Sequence, residues 1–228
     1  MKELFSQIMS LFDSRFYDLY IHPGSSYPIA RIASEAQRFG YSGIAIINSA
    51  ITDRDEIPQN FSIYRGIGIS CKPSRLREEI KKHKGGIEIL AVPGGDEELN
   101  RVAVETEGLD LLMQPAQFNN VLAKAASDNS VAIGFDLGSL IRLRGEARVR
   151  ELIIMRVNLK HARKYNLSMI LTSNAHSIYD IRSPREMAAL AGLFGMTKEE
   201  AVNAMSETPL GLLKRKNPDY IQEGIEII

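Results

Sequence analysis

Polar side chains able to bind or catalyse stand at the ends of short apolar runs in this chain: Asp18 and His22, Asn48, Arg65, Gln114, Asp136, then Ser173-Asn174-Ala175-His176 and Arg182. Carboxylates and imidazoles gathered in one pocket can hold divalent ions, activate water or exchange protons. The chain has 4 histidines, and His83 and His161 fall inside helical patterns, so His22 and His176 at most could serve as ligands. A metal cluster needs several such ligands converging. Polar residues hydrogen-bonded around a rim are therefore favoured over a metal site. Asp18 and Asp136 are expected to cap loops or pair with Arg65 or Arg182 rather than act as a general base. No catalytic residue and no metal ligand is assigned. Neither a Ser-His-Asp nor a Cys-His constellation can be assembled from the spacing, and no G-x-x-x-x-G-K-[ST] loop appears, so nothing supports a nucleotide-dependent enzyme.

A second group of residues is basic. Between Ser139 and Lys164 stand Arg142, Arg144, Arg148, Arg150, Arg156, Lys160, Arg163 and Lys164, against only Glu146 and Glu151. Leu152, Met155, Leu159 and Ala162 follow helical spacing and can pack inward, which sets Arg156, Lys160 and Arg163 in a row at i, i+4 and i+7. Such a row can track phosphates, and the neighbouring Arg142-Leu143-Arg144-Gly145 turn adds guanidinium forks beside a glycine that permits close backbone approach. Lys214-Arg215-Lys216 could extend the surface. The bland alternative is a solvated helix face. Over the whole chain 28 Lys and Arg balance 28 Asp and Glu, which excludes coating nucleic acid by bulk charge and leaves a localised anion-binding face.

Positioning these residues falls to alternating elements. Strands are predicted near Phe16–Ile21, Gly43–Asn48, Ser62–Ser70, Ile87–Val92, Leu111–Gln114, Val131–Phe135 and Met169–Ser173, several of them continuous apolar runs suited to a sheet covered on both faces. Between them Ile29, Ile32, Ala33 and Ala36, and likewise Val121, Leu122 and Ala125, recur at helical spacing and predict crossover helices. Ser183-Pro184-Arg185-Glu186 offers an N-cap, a first-turn proline and a capping-box glutamate; Thr197-Lys198-Glu199-Glu200 repeats the box, with Gly195 ending the helix between them. With no linker or repeat, residues 1–228 are expected to form one domain, an α/β barrel of about seven mostly parallel strands surrounded by helices. An open doubly wound sheet is the structural alternative. No apolar run reaches the roughly 20 residues that span a bilayer, and Glu3, Asp13 and Arg15 interrupt the start as a signal peptide would not tolerate. A soluble, cytoplasmic protein without membrane partners is expected. Cys71, the single cysteine, excludes an intrachain disulfide and reads as a small core hydrophobe.

The strand-end residues resemble those of the polymerase-and-histidinol-phosphatase (PHP) barrels, with H-x-H on the first strand and a Ser-Asp-Ala-His-like segment on a late one. Here Asp18 and Tyr20 stand at the first position and Asn174 replaces the acidic ligand at the second. A closer likeness follows. Ala132-Ile133-Gly134-Phe135-Asp136-Leu137 running into Leu140-Ile141-Arg142, then Arg163-Lys164-Tyr165, Leu171 to His176 and Asp180 to Arg185, with Asp18-Leu19 at the first strand, are similar to the archaeal ribonuclease P component 3 family. The resemblance covers most of the chain. It implies a TIM-like barrel related to PHP hydrolases that has lost its metal chemistry and works inside a ribonucleoprotein removing the 5′ leader of precursor tRNA. Its implied partners are ribonuclease P RNA, precursor tRNA through the holoenzyme, protein component 2 and the other protein subunits. It implies no cofactor in this chain, with Mg2+ used by the RNA subunit. Under it Asp18, His22, Arg65, Asp136, Asn174 and His176 become a vestigial pocket, while Arg142, Arg144, Arg148, Arg156, Lys160, Arg163 and Arg182 contact RNA. The competing readings are a self-sufficient PHP-type phosphoesterase using His22 and His176 with divalent ions, and a structural barrel that touches no RNA.

Overall fold

A computed structural model describes residues 14–24, 27–51 and 57–216, and the backbone of 220–222 and 225–226. Glu3 and Asp13, used above against a signal peptide, lie outside the described residues. The seven predicted strands are β1 (Phe16–Ile21), β2 (Tyr41–Ile47), β3 (Ser62–Gly68), β4 (Ile89–Pro93), β5 (Leu111–Met113), β6 (Ala132–Asp136) and β7 (Met169–Thr172). They pair in parallel in sequence order. The helices between and after them are α1 (Ile29–Arg38), α2 (Pro73–His83), α3 (Glu97–Glu105), α4 (Asn120–Asp128), α5 (Leu137–Arg142), α6 (Gly145–Lys164), α7 (Pro184–Gly192), α8 (Lys198–Asn203) and α9 (Glu207–Lys214). A short antiparallel pair, Tyr220–Gln222 with Ile225–Glu226, follows.

Alternation along the strands divides the core in two. Ile44, Ile46, Leu90, Val92, Leu112, Ile133, Phe135 and Leu171 face the helices. Tyr17, Leu19, Ala45, Ile47, Ile89, Ala91, Leu111, Met113, Ala132 and Ile170 face the barrel axis. The axis is narrow: a Cβ added to Gly134 would lie 2.1 Å from Met113 Sδ. Leu212 is buried in this inner cluster, with Leu210 and Leu213 packed against it, so α9 closes the end of the barrel at which the strands begin. Among the described residues β1 and β7 share no ladder; side chains between them, and the backbone bonds from the His22 and Gly24 amides to the Ala175 and His176 carbonyls just beyond, close the circle and give a nearly closed barrel.

Both expected capping boxes form, Ser183 with Glu186 and Thr197 with Glu200, and Gly195 takes the left-handed conformation (φ 94°) in the turn that follows α7. One inward assignment fails. Val121 is 67% exposed because Asn119, accepting from the Val121 and Leu122 amides, starts α4 in a phase that buries Leu122, Ala123 and Ala126. Among the described residues no helix is long and apolar enough to cross a membrane.

Replacing Leu212 by Ala should destabilise the chain by about 2 to 5 kcal/mol, the cost of a core cavity, read from the urea midpoint. Leu193→Ala, at a half-exposed position, should stay within about 0.5 kcal/mol. Equal losses would mean that α9 does not seal the barrel.

Candidate functional site

The strand ends converge on one mouth, built around two buried carboxylates. Asp18 in β1 is 2% exposed and accepts four hydrogen bonds. Thr172 Oγ1 and the Tyr20 amide donate to Oδ1, while the Ser173 amide (2.9 Å) and Oγ (2.6 Å) donate to Oδ2. Burial still raises its pKa against these donors. Asp136, at the end of β6, caps α5 by accepting from the Ser139 amide (3.0 Å), and takes further bonds from Arg142 Nη2 (3.0 Å) and Asn174 Nδ2 (2.9 Å). Its pKa too is raised, chiefly by burial.

Asn174 joins the two halves. It follows β7 in a left-handed conformation (φ 43°) that Asn tolerates better than most residues. Because its Nδ2 faces the Asp136 carboxylate, its Oδ1 is left for His22 Nδ1 at 3.1 Å, which assigns the proton to Nδ1 of His22. Burial lowers the His22 pKa, favouring the neutral ring. Tyr20 meets that ring edge-on at 4.6 Å, and the exposed His176 ring stacks with it at 5.8 Å. Burial first, then the charge of Asp136, pushes the Tyr20 hydroxyl up to about 12. Gln114, also left-handed (φ 43°), accepts from the Asp136 amide through Oε1.

Five of the six pocket residues named from sequence therefore meet: Asp18, His22, Asp136, Asn174 and His176. Arg65 does not. Its side chain projects from the outer surface of β3 and pairs with Glu88 just before β4, in a cleft of about 320 Å³ shared with Arg215 and Lys216. The cause is strand parity, since Tyr64 and Gly66 take the inward positions on either side. Sequence reading missed Arg142 as the cation of the mouth, although its place six residues after Asp136, one helical turn and a half into α5, signals it. Ser173, named from sequence as a strand-end polar residue, donates to Asp18, while Thr172, the other side-chain donor, carries no separable signal.

A divalent ion fits this mouth poorly. Asp18 accepts four hydrogen bonds and Asp136 is held by three donors, Arg142 Nη2 reaching both of its oxygens, and among the described residues no three His, Cys, Asp or Glu side chains are grouped to hold a metal. Asp18 and Asp136 thus offer hydrogen-bonded structure rather than spare lone pairs.

The basic segment divides. Arg163 is bound to Glu200 through two bonds of 2.7 Å and to the Gly195 carbonyl, and Arg156 donates to the Leu193 carbonyl at 3.1 Å; both brace α6 against the α7–α8 turn. Lys216 pairs with Asp110, and Arg215 reaches the Ser130 carbonyl at the far end of the barrel. By contrast, Arg144 bonds the Ile141 and Leu143 carbonyls, Arg148 the Leu143 carbonyl, and Arg182 the Tyr179 and Ile181 carbonyls. These bonds orient the guanidinium groups without neutralising them.

The chain matches the profile of the RNase P subunit p30 family over residues 15–218. The chain belongs to this family. It is 43% identical over 225 residues to ribonuclease P protein component 3 of Methanococcoides burtonii, covering 93% of each chain. It is also similar in structure to a chain from archaeal ribonuclease P with mature tRNA (TM-score 0.76, 24% identity, 92% of this chain and 97% of that one). The Aspergillus niger ochratoxinase shares the barrel alone (TM-score 0.64, 11% identity, 93% and 75% covered). In this chain the polar rim of the barrel is spent on internal bonds.

Asp18→Asn should cost about 1 to 3 kcal/mol, because the amide nitrogen cannot accept from the Ser173 N–H. The deficit should depend on pH with a definite sign. A carboxyl whose pKa is raised on folding contributes stability that is present below its unfolded pKa and is lost as pH rises through the folded one. The advantage of the native chain over the variant should therefore be largest near pH 4 and smaller at pH 7. A deficit growing with pH in paired denaturation curves would overturn this.

Proposed function

We propose that this chain, a protein subunit of the tRNA-processing ribonucleoprotein ribonuclease P, holds the catalytic RNA through the arginines beside the barrel mouth and contributes no reacting group of its own. The observation that carries the reading is the state of Arg144, Arg148 and Arg182, charged forks fixed by backbone carbonyls at the same end of the barrel. Preorganised guanidinium groups lose little entropy on meeting phosphates, and each phosphate contact releases condensed counterions. Arg142 and Arg163, expected to join them, are paired with Asp136 and Glu200, while Arg156, held by the Leu193 carbonyl alone, keeps its charge beside the α7–α8 turn. Lys160 stands on the outer side of α6.

Within the assembly the RNA carries the catalytic centre and uses Mg2+, precursor tRNA is reached through the holoenzyme, and component 2 is the nearest protein partner, in the cytoplasm. The self-sufficient phosphoesterase reading loses its support because the carboxylates that would ligate ions are fully engaged.

The test is salt-dependent binding of the cognate RNA. Replacing Arg144, Arg148 and Arg182 together by Ala should reduce the log–log salt slope by about 2, at about 0.7 per phosphate contact on irregular RNA. Arg163→Ala should leave the slope unchanged and lower the melting temperature. A folded triple variant with an unchanged slope would leave only the structural-barrel reading.

A further inference from the structure

Helix α6 is apolar on two opposite sides. Met155, Leu159 and Ala162 are buried against the barrel. Directly outward stand Val149, Ile153 and Val157, at i, i+4 and i+8, exposed by 56%, 53% and 43%. Beside this stripe, where Arg156 grips the α7 end, Leu193 is 52% exposed and extends the apolar surface. β-branched residues are weaker helix formers than the Lys, Glu or Ala common on solvated faces, so local helix stability does not account for three in register.

We propose that this outward face of α6, centred on Ile153, docks a second protein subunit of the ribonucleoprotein, one presenting an apolar ridge flanked by carboxylates. The proposal rests on the reading of the chain as a ribonuclease P subunit. RNA is a poor occupant, since phosphates gain nothing from Val149, Ile153 and Val157, and the Arg156 and Arg163 guanidinium groups beside the stripe are turned back onto the α7–α8 turn. The border is nevertheless cationic: Arg150, Arg156 and Lys160 surround the stripe, with Glu146 the acidic residue on this face, already 3.6 Å from Arg150. A second copy of this chain is disfavoured by the same charges. A two-fold axis through Ile153 would set Val149 against Val157 of the other copy and Glu146 against its Lys160, but would also set Arg150 against its Arg156 and bring two borders of net positive charge together. An acidic border on a different protein answers the charge and the apolar stripe together.

The experiment mixes the full chain with each other protein subunit of its own ribonuclease P, without RNA, and measures affinity by calorimetry and mass by light scattering. Ile153→Glu, at an exposed position, should keep the native melting temperature and RNA salt slope but weaken binding to one subunit about tenfold or more, as loss of an interface anchor does. Arg150→Glu with Lys160→Glu should weaken the same pairing without altering the apolar stripe, and raised salt should weaken the native pairing. Unchanged affinity of Ile153→Glu for every subunit overturns the proposal. So does a fall in RNA affinity with protein affinities intact, which would assign the face to RNA. A native chain that is dimeric alone and monomeric as Ile153→Glu assigns it to a second copy. Reconstituted cleavage that does not need the native chain would overturn the subunit reading itself, an outcome separate from any of these.

Discussion

The Asp18 carboxylate is the constraint on which the rest of this barrel depends. A seven-stranded parallel sheet that curls without a ladder between its first and last strands needs another tie, and within the strands a buried anion supplies it by demanding donors from the facing strand, with backbone bonds from His22 and Gly24 to Ala175 and His176 following just beyond. Thr172 and Ser173 satisfy that demand with two hydroxyls and a backbone amide. Unlike an apolar contact, the tie is directional, and it fixes β7 against β1 in one register.

That register decides the mouth. With Ser173 held, Asn174 turns into its left-handed conformation and sends its amide between Asp136 and His22. Asp136 meanwhile sits at the N-terminus of α5, where the helix dipole and the Ser139 amide favour a negative charge, and α5 returns Arg142 to it. The two carboxylates are consequently saturated. A barrel shape shared with hydrolases at about a tenth sequence identity here encloses a hydrogen-bonded plug, and the unneutralised charge has moved outward to arginines held by carbonyls.

The long helix α6 shows how one element serves several neighbours. Its inner side fills the barrel wall, its Arg156 and Arg163 edge is stapled to the α7–α8 turn, and its outer side carries an apolar stripe within a basic border. The helical period distributes these tasks. Charge counted along the segment overstates what is free to meet a phosphate, because Glu200 lies 37 residues from Arg163 in sequence and 2.7 Å from it in space.

By itself the sequence determined the strands, the parallel alternation, both capping boxes and the strand-end positions of Asp18, Asp136, Asn174 and His176, since these follow from local period, cap chemistry and runs of buried apolar residues. Only the tertiary structure decided which polar residues share a site. Arg65 left the mouth because the assembled barrel turns it to the outer surface beside Glu88, and Arg163 left the free basic row because Glu200 reaches it, whereas the places of Arg142 and Val121, set by Asp136 and Asn119 close by in sequence, were legible locally. Hydrogen-bond partners more than 150 residues apart, such as Asp18 and Ser173, have no period to betray them. They are brought together by the closure of the barrel, and that closure is a property of all seven strands at once.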